Sequence, residues 1–266
     1  MEQKNNKQKT RVIVMAGARM KEVKKRGKKE WVFPLIIKKT KEGKLPVEVS
    51  GGDIRMRAVS IIYQGYLKSK RPNENLLILV TGGREKSGHS RSFQAKKKLV
   101  KDYNIPREII KSLGGKGSTL GNVKAVFSFI KKNKKLFSQI KEIEIVTNDF
   151  HIIRAWLMFS FESYKLSRNK NLKIKNQDIK KIKKILDKSL GQSTYKEAMK
   201  KIESIMKPYL SQLSFKVKPI IAENIIASSG LIGKVYREFI IRNKWFQKTR
   251  KLEKKGIIDF LNGRYK

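Results

Sequence analysis

The chain contains no cysteine, which excludes disulfides, thiolate metal sites and a thiol nucleophile. Histidine is nearly as scarce. The two in 266 residues, His89 and His151, are far apart in sequence, so a zinc site would have to draw on carboxylates; no metal site is assigned. Acidic residues are the third scarcity, with 22 Asp and Glu against 64 Lys and Arg and a formal net charge of +42. No run of eighteen apolar residues encodes a membrane span. The polar stretch 1–10 leads into an apolar run too short for a signal peptide, so the chain is expected to be cytoplasmic. There is no internal repeat, and no low-complexity segment beyond the lysine bias.

Three readings of the charge compete. Coding bias toward lysine would load solvated faces without any role. Contact with nucleic acid or the ribosome is the second, and attraction to an anionic membrane surface the third. Zinc-finger spacing, aromatic ribonucleoprotein signatures and a clear helix-turn-helix are all lacking. The basic runs Lys21–Lys29, Lys96–Lys98, Lys131–Lys135 and Lys180–Lys184 are spread along the chain. Dispersed charge of this kind supports nonspecific polyanion contact at most.

What is present is a repeated strand-to-helix pattern. Arg11–Gly17 and Asn75–Gly83 are apolar runs ending in small residues, as buried parallel strands feeding tight turns do. Asp53–Lys70 carries Met56, Val59, Ile62, Tyr63 and Leu67 near helical spacing. A polar loop at Arg84–Ser92 precedes a basic helix over Gln94–Tyr103. A short segment, Glu108–Leu113, then leads through a glycine-rich loop to a helix bearing Val123, Val126, Phe127 and Ile130. In Ile143–Ala155 a β-branched run stops at Asn148-Asp149 and a helix begins, which puts His151 and Arg154 on one face of its first turn. Alternating strands and helices predict a Rossmann-like three-layer α/β domain with a mostly parallel sheet. Gly17, Gly82 and Asn148 should lie at one sheet edge.

The predicted organisation is a disordered basic N-terminus over 1–10, an α/β domain over 11–176, and a mainly helical basic extension over 177–266 packed on it. Leu172–Lys175 is a candidate last strand of the domain. Within the extension, helices are predicted at Gln177–Leu190, at Thr194–Leu213 capped by Ser193, at Ile232–Phe246 and at Lys248–Leu261, with a strand at Ser214–Ile221. Aromatics such as Tyr236, Phe239, Trp245 and Phe246 are expected to dock the extension on the core.

The motifs, in order, are Val12–Ala18, Arg55 in Arg-Met-Arg-Ala with Tyr63 and Gly65 downstream, Val80-Thr81-Gly82-Gly83, Asn104-Ile105-Pro106, Ser118-Thr119-Leu120-Gly121-Asn122, and Val146–His151 with Arg154-Ala155. This ordered set, covering roughly 11–175, resembles the SanA/YdcF/ElyC-like family, a domain of unknown function. The resemblance implies a Rossmann-like fold and a role in cell-envelope metabolism. Many members carry an N-terminal membrane-anchoring helix, which is not seen here. Members also usually have a glutamate soon after the Gly-Gly turn and another just before the asparagine of the Thr-x-x-Asn motif. Here Lys86–Lys101 holds no carboxylate, Gln94 being the nearest match, and Gly121 occupies the second position. If those acids carry the family's chemistry, this chain binds without turning over.

The residues suit an anionic ligand. Gly17, Gly82 and Gly83 allow close approach to backbone. Helix N-termini after Ser118 and Asp149 offer amides to a phosphate, Thr119 and Asn122 offer neutral hydrogen bonds, and Arg55 and Arg154 offer bidentate ones. His151 is the candidate acid/base, with Glu85 or Asp53 as its carboxylate partner, and Asp149 is read as a helix cap. Each has a structural alternative: turn glycines, capping residues, an arginine paired with Asp149, a hydrogen-bonded core histidine. His89 is read as solvated. The predicted ligand is phosphate-bearing or nucleotide-like, with a nucleotide-like cofactor one form of it; if there is a reaction, it belongs to a phosphate- or nucleotide-related transferase or hydrolase.

Overall fold

The computed structural model describes residues 9–18, 20–25, 28–33, 36–38, 47–49, 51–69, 73–85, 88–115, 117–189, 195–211, 213–230, 234, 238 and 244–265. The first strand, β1 (Lys9–Met15), is the apolar run anticipated from the sequence. Two short antiparallel hairpins follow it, β2 (Lys21–Lys25) with β3 (Lys28–Val32), and β4 (Ile36–Lys38) with β5 (Val47–Val49). Then come α1 (Gly52–Lys68), β6 (Glu74–Thr81), α2 (Arg91–Tyr103), β7 (Ile110–Leu113), α3 (Thr119–Lys132), α4 (Lys134–Gln139), β8 (Ile140–Thr147) and α5 (Asp149–Arg168). The C-terminal third supplies α6 (Asn176–Ser189), α7 (Lys196–Leu210), β9 (Lys216–Ile221), α8 (Ala222–Ala227) and α9 (Lys244–Leu261).

The central sheet has five strands in the order β7-β6-β1-β8-β9, and every pairing is parallel. Counted along the chain this order is 3-2-1-4-5, the Rossmann order through five strands. Side chains alternate between the two faces, as strand geometry requires. Val12, Val14, Ile143, Ile145 and Val217 face a core shared with α3, α5, α6 and α7, while Ile13, Met15, Ile78 and Val80 face a second core shared with α1, α2 and α8. The α/β three-layer architecture expected from the sequence is the observed one.

One expected strand does not form, and the strand expected at Ser214–Ile221 forms as β9 within the central sheet. Leu172–Lys175 forms no strand; Leu172 and Ile174 instead pack against the first core as partly buried side chains. The free edge of β8 is taken by Lys216–Ile221, from inside the segment assigned to the extension, so the sheet is completed well beyond residue 176. The proposed Ser193 cap, Tyr236 and Phe239 lie outside the described residues, as do the side chains of Trp245 and Phe246.

Local signals explain the helix ends. Ser90 caps α2 by accepting from Phe93 N at 3.3 Å, and Ser118 caps α3 by accepting from Gly121 N at 3.0 Å. Asn104 ends α2 in the left-handed conformation, with φ 51°. The buried Glu144 carboxylate is held between Arg11 at 2.7 Å and Lys218 at 2.9 Å, an ion-pair ladder tying three strands. No helix among the described residues is long and apolar enough to cross a membrane.

Candidate functional site

After β1 the chain crosses to β6 and β7 on one side and then returns to β8 on the other. The C-terminal ends of β1 and β8 therefore flank the switch point where Rossmann-type sheets open a crevice. Gly17, Gly82 and Asn148 follow β1, β6 and β8 and lie at this single edge. The loops are stitched together by Thr81, whose hydroxyl donates to Met15 O at 3.2 Å and accepts from Gly17 N at 3.0 Å. Gly82 has φ 146°, a conformation L side chains rarely adopt, so part of the Gly-Gly signal is turn chemistry.

A cavity of about 260 Å³ opens here. Of the anticipated residues, Gly17, Arg55, Gly82, Ser118, Thr119, Asn122, His151 and Arg154 line it. Arg91, Glu253 and Tyr265 join them. Gly83 lies instead in an adjoining groove. Asn148 is fully buried behind the wall, where its Oδ1 accepts from Arg55 Nε at 2.6 Å and its Nδ2 donates to Glu223 Oε1 at 2.8 Å.

Arg55 and Arg154 meet at the cavity in different states. Arg55 Nη1 donates to Ala16 O and Gly17 O at 3.0 and 2.5 Å, so this buried side chain braces the β1 turn while contributing positive field. Burial lowers its pKa to about 10. Arg154 is partly exposed. Its Nη2 donates to Glu253 Oε1 at 2.8 Å, its Nη1 donates to the Tyr265 hydroxyl at 3.2 Å, and its Nε is buried with no partner. Asn122 Oδ1 is likewise buried without a partner. Both atoms belong to cavity-lining residues and represent hydrogen-bonding capacity not used by the protein.

His151 Nδ1 lies 3.1 Å from Glu253 Oε2, and its Nε2 lies 3.5 Å from Thr119 Oγ1. Burial lowers the imidazole's pKa despite the adjacent carboxylate. Burial pushes Glu253 up, but His151, Arg154 and Arg55 together outweigh that and hold it below the ordinary carboxylate range. Arg154 Nη2 also lies 3.3 Å from Nδ1, but it donates to Glu253 Oε1 at 2.8 Å, so the assignment that gives both Glu253 oxygens a donor is a neutral ring donating from Nδ1 to ionised Glu253. This turns the Nε2 lone pair toward Thr119 on the cavity wall.

The carboxylate partners expected from sequence do not serve His151. Glu85 is held by Arg91, with Nε–Oε1 at 2.6 Å and Nη2–Oε2 at 3.2 Å. Asp53 pairs with Arg57 at 2.7 Å and accepts from the Tyr103 hydroxyl at 3.4 Å. Neither lines the cavity. Arg91, one position after the α2 cap, neutralises Glu85 locally, and α1 turns Asp53 outward. Asp149 is not the cap either: Asn148 occupies that position, and Glu223 Oε2 accepts from Asp149 N at 2.9 Å. The Asp149 carboxylate instead accepts from Tyr195 N at 2.8 Å and from the fully buried Arg250, whose guanidinium lies 4.5 Å from the Tyr195 ring centroid. Burial beside Asp149 raises Glu223 to about 7.

Glu253 and Arg250, both on α9, thus lock this C-terminal helix onto the first turn of α5. The sequence held a signal for them. Arg250, Glu253, Ile257 and Leu261 follow helical spacing and are all buried, so two charged residues sit on an apolar stripe. Charges in such positions demand partners.

Comparisons with protein-family models, curated proteins and solved structures find no match to this chain.

Proposed function

We propose that the cavity at the β1/β8 switch point binds the phosphate group of a small phosphorylated ligand, with His151 as the acid/base group toward it. The observation that carries this reading is the His151–Glu253 pair. A buried neutral imidazole, fixed through Nδ1 by a carboxylate, keeps its second nitrogen for a reacting group. Arg55 contributes positive field from a buried position, Arg154 and Arg91 add guanidinium groups shared with Glu253 and Glu85, and the N-terminus of α3 adds its dipole. In a hydrolase or transferase of this type, His151 Nε2 would accept a proton from an attacking water or hydroxyl. Thr119, 3.5 Å away, would orient it. The likeness to the SanA/YdcF/ElyC-like family would put such chemistry in cell-envelope metabolism.

The test is calorimetric titration of inorganic phosphate and a phosphate monoester into wild type and Arg154→Ala. The variant is expected to lose about 1.5–3 kcal/mol of affinity, the range for hydrogen bonds to charged groups. Unchanged affinity would make Arg154 a purely structural partner of Glu253 and Tyr265. The net charge of +42 favours a second reading, nonspecific polyanion contact. Affinity of that origin would fall steeply with salt and survive loss of the cavity residues.

A further inference from the structure

A second concavity, of about 920 Å³, adjoins the cavity, and Gly82 and Gly117 line both. The two differ in chemistry. Among the described residues, the cavity is lined by three arginines and one glutamate, whereas the groove has one charged residue, Arg84, in its wall. The glycines after β6 and β7 line it, together with Ser90, Ser92, Ser112 and Gln94. Ser112 donates to Ser92 Oγ at 2.9 Å, and Ser92 shares a hydrogen bond with Ser90 at 3.1 Å. More of the groove's wall is apolar than polar, with hydroxyl and amide groups interrupting it, a mix that suits a planar ring joined to a body with its own hydroxyls.

Two exposed rings complete it. Phe93, on the first turn of α2, is 56% exposed although it follows a well-formed cap. His89 is exposed, and the Trp31 ring braces it with centroids 4.7 Å apart. A planar heterocycle entering this groove would have two aromatic rings, Phe93 and His89, and glycine backbone among its lining to pack against.

We propose that the groove is a nucleoside subsite, so that the ligand class is nucleoside phosphates, with the phosphate in the cavity and sugar and base in the groove. This rests on the phosphate reading above for the anionic end alone.

Binding of inorganic phosphate, the four ribonucleoside 5′-monophosphates, the four free nucleosides and a ten-carbon prenyl phosphate to the full chain tests it. At least one nucleoside monophosphate should bind more tightly than both inorganic phosphate and the prenyl phosphate. Phe93→Ala, at an exposed position that leaves the core intact, should weaken that nucleotide by about 5- to 160-fold, the span of base–aromatic stacking, without changing the affinity for inorganic phosphate. Arg154→Ala should weaken both. Nucleotides binding no better than inorganic phosphate, no loss in Phe93→Ala, or preference for the prenyl phosphate would each overturn the subsite. If a free nucleoside binds in a Phe93-dependent way while phosphate ignores Arg154, the subsite stands and the phosphate cavity falls.

Discussion

Truncating Glu253 to alanine removes the group that joins α9 to the candidate site. Its carboxylate accepts from Arg154 at 2.8 Å and lies 3.1 Å from His151 Nδ1, with only 9% of its side chain exposed. At an effective dielectric constant near 20, the Arg154 pair alone is worth about 6 kcal/mol of gross attraction, most of which desolvation consumes. What the variant reads is therefore the cost of leaving a charge and an N–H without their acceptor, about 3–5 kcal/mol for a fully buried pair. Arg154 is 18% exposed and keeps Tyr265, which places the expected loss near the lower end, about 3 kcal/mol. Urea denaturation with an unchanged m-value would measure it. The ring ¹⁵N shifts of His151 should also move, because the Nδ1–H tautomer loses its anchor. A loss under about 1 kcal/mol with an unaltered tautomer would refute the assignment of Glu253 as the positioning residue.

Gly51→Ala is expected to destabilise by at least about 1–2 kcal/mol from the left-handed backbone alone, since φ is 63° there. The new Cβ would also overlap the Asn148 amide and displace Arg55, so anion affinity should fall too; thermal unfolding and phosphate titration check both, and a neutral variant would contradict the geometry. Burial lowers the folded pKa of His151 below its ordinary 6.5, so below that pH the unfolded chain binds the extra proton first and stability falls as pH drops. Relative to His151→Gln, wild type should lose stability as pH falls below about 6.5; parallel curves would show that the imidazole titrates normally.

The sheet was legible because β1, β6 and β8 are apolar on both faces and end in small or polar residues, a pattern that only buried parallel strands need. The hairpin β2–β3 escaped notice because Lys21–Lys25 and Lys28–Lys29 bury the period-2 signal under charge. Leu172–Lys175 and Lys216–Ile221 look alike as short alternating runs, and only packing against β8 decides between them. His151, Arg154, Thr119 and Asn122 could be placed in one site because two consecutive strand-to-helix junctions carry them. Their acid partner could not. Glu253 is 102 residues from His151, on a helix whose docking depends on Arg250 reaching Asp149, and no local spacing encodes a contact of that range. Glu85 and Asp53 are the acids beside the Gly-Gly turn and Arg55, and local arginines, Arg91 and Arg57, claim them.

With only His89 and His151 in the chain, ¹⁵N-histidine labelling gives two ring spectra, one from the cavity and one from outside it. Inorganic phosphate titrated at neutral pH and physiological salt tests the phosphate-binding cavity directly. The expected result is a saturable shift of the His151 ring nitrogens, absent in Arg154→Ala, with His89 unmoved. A His151 spectrum indifferent to phosphate, or equal small shifts at both histidines that fade with added salt, would contradict it.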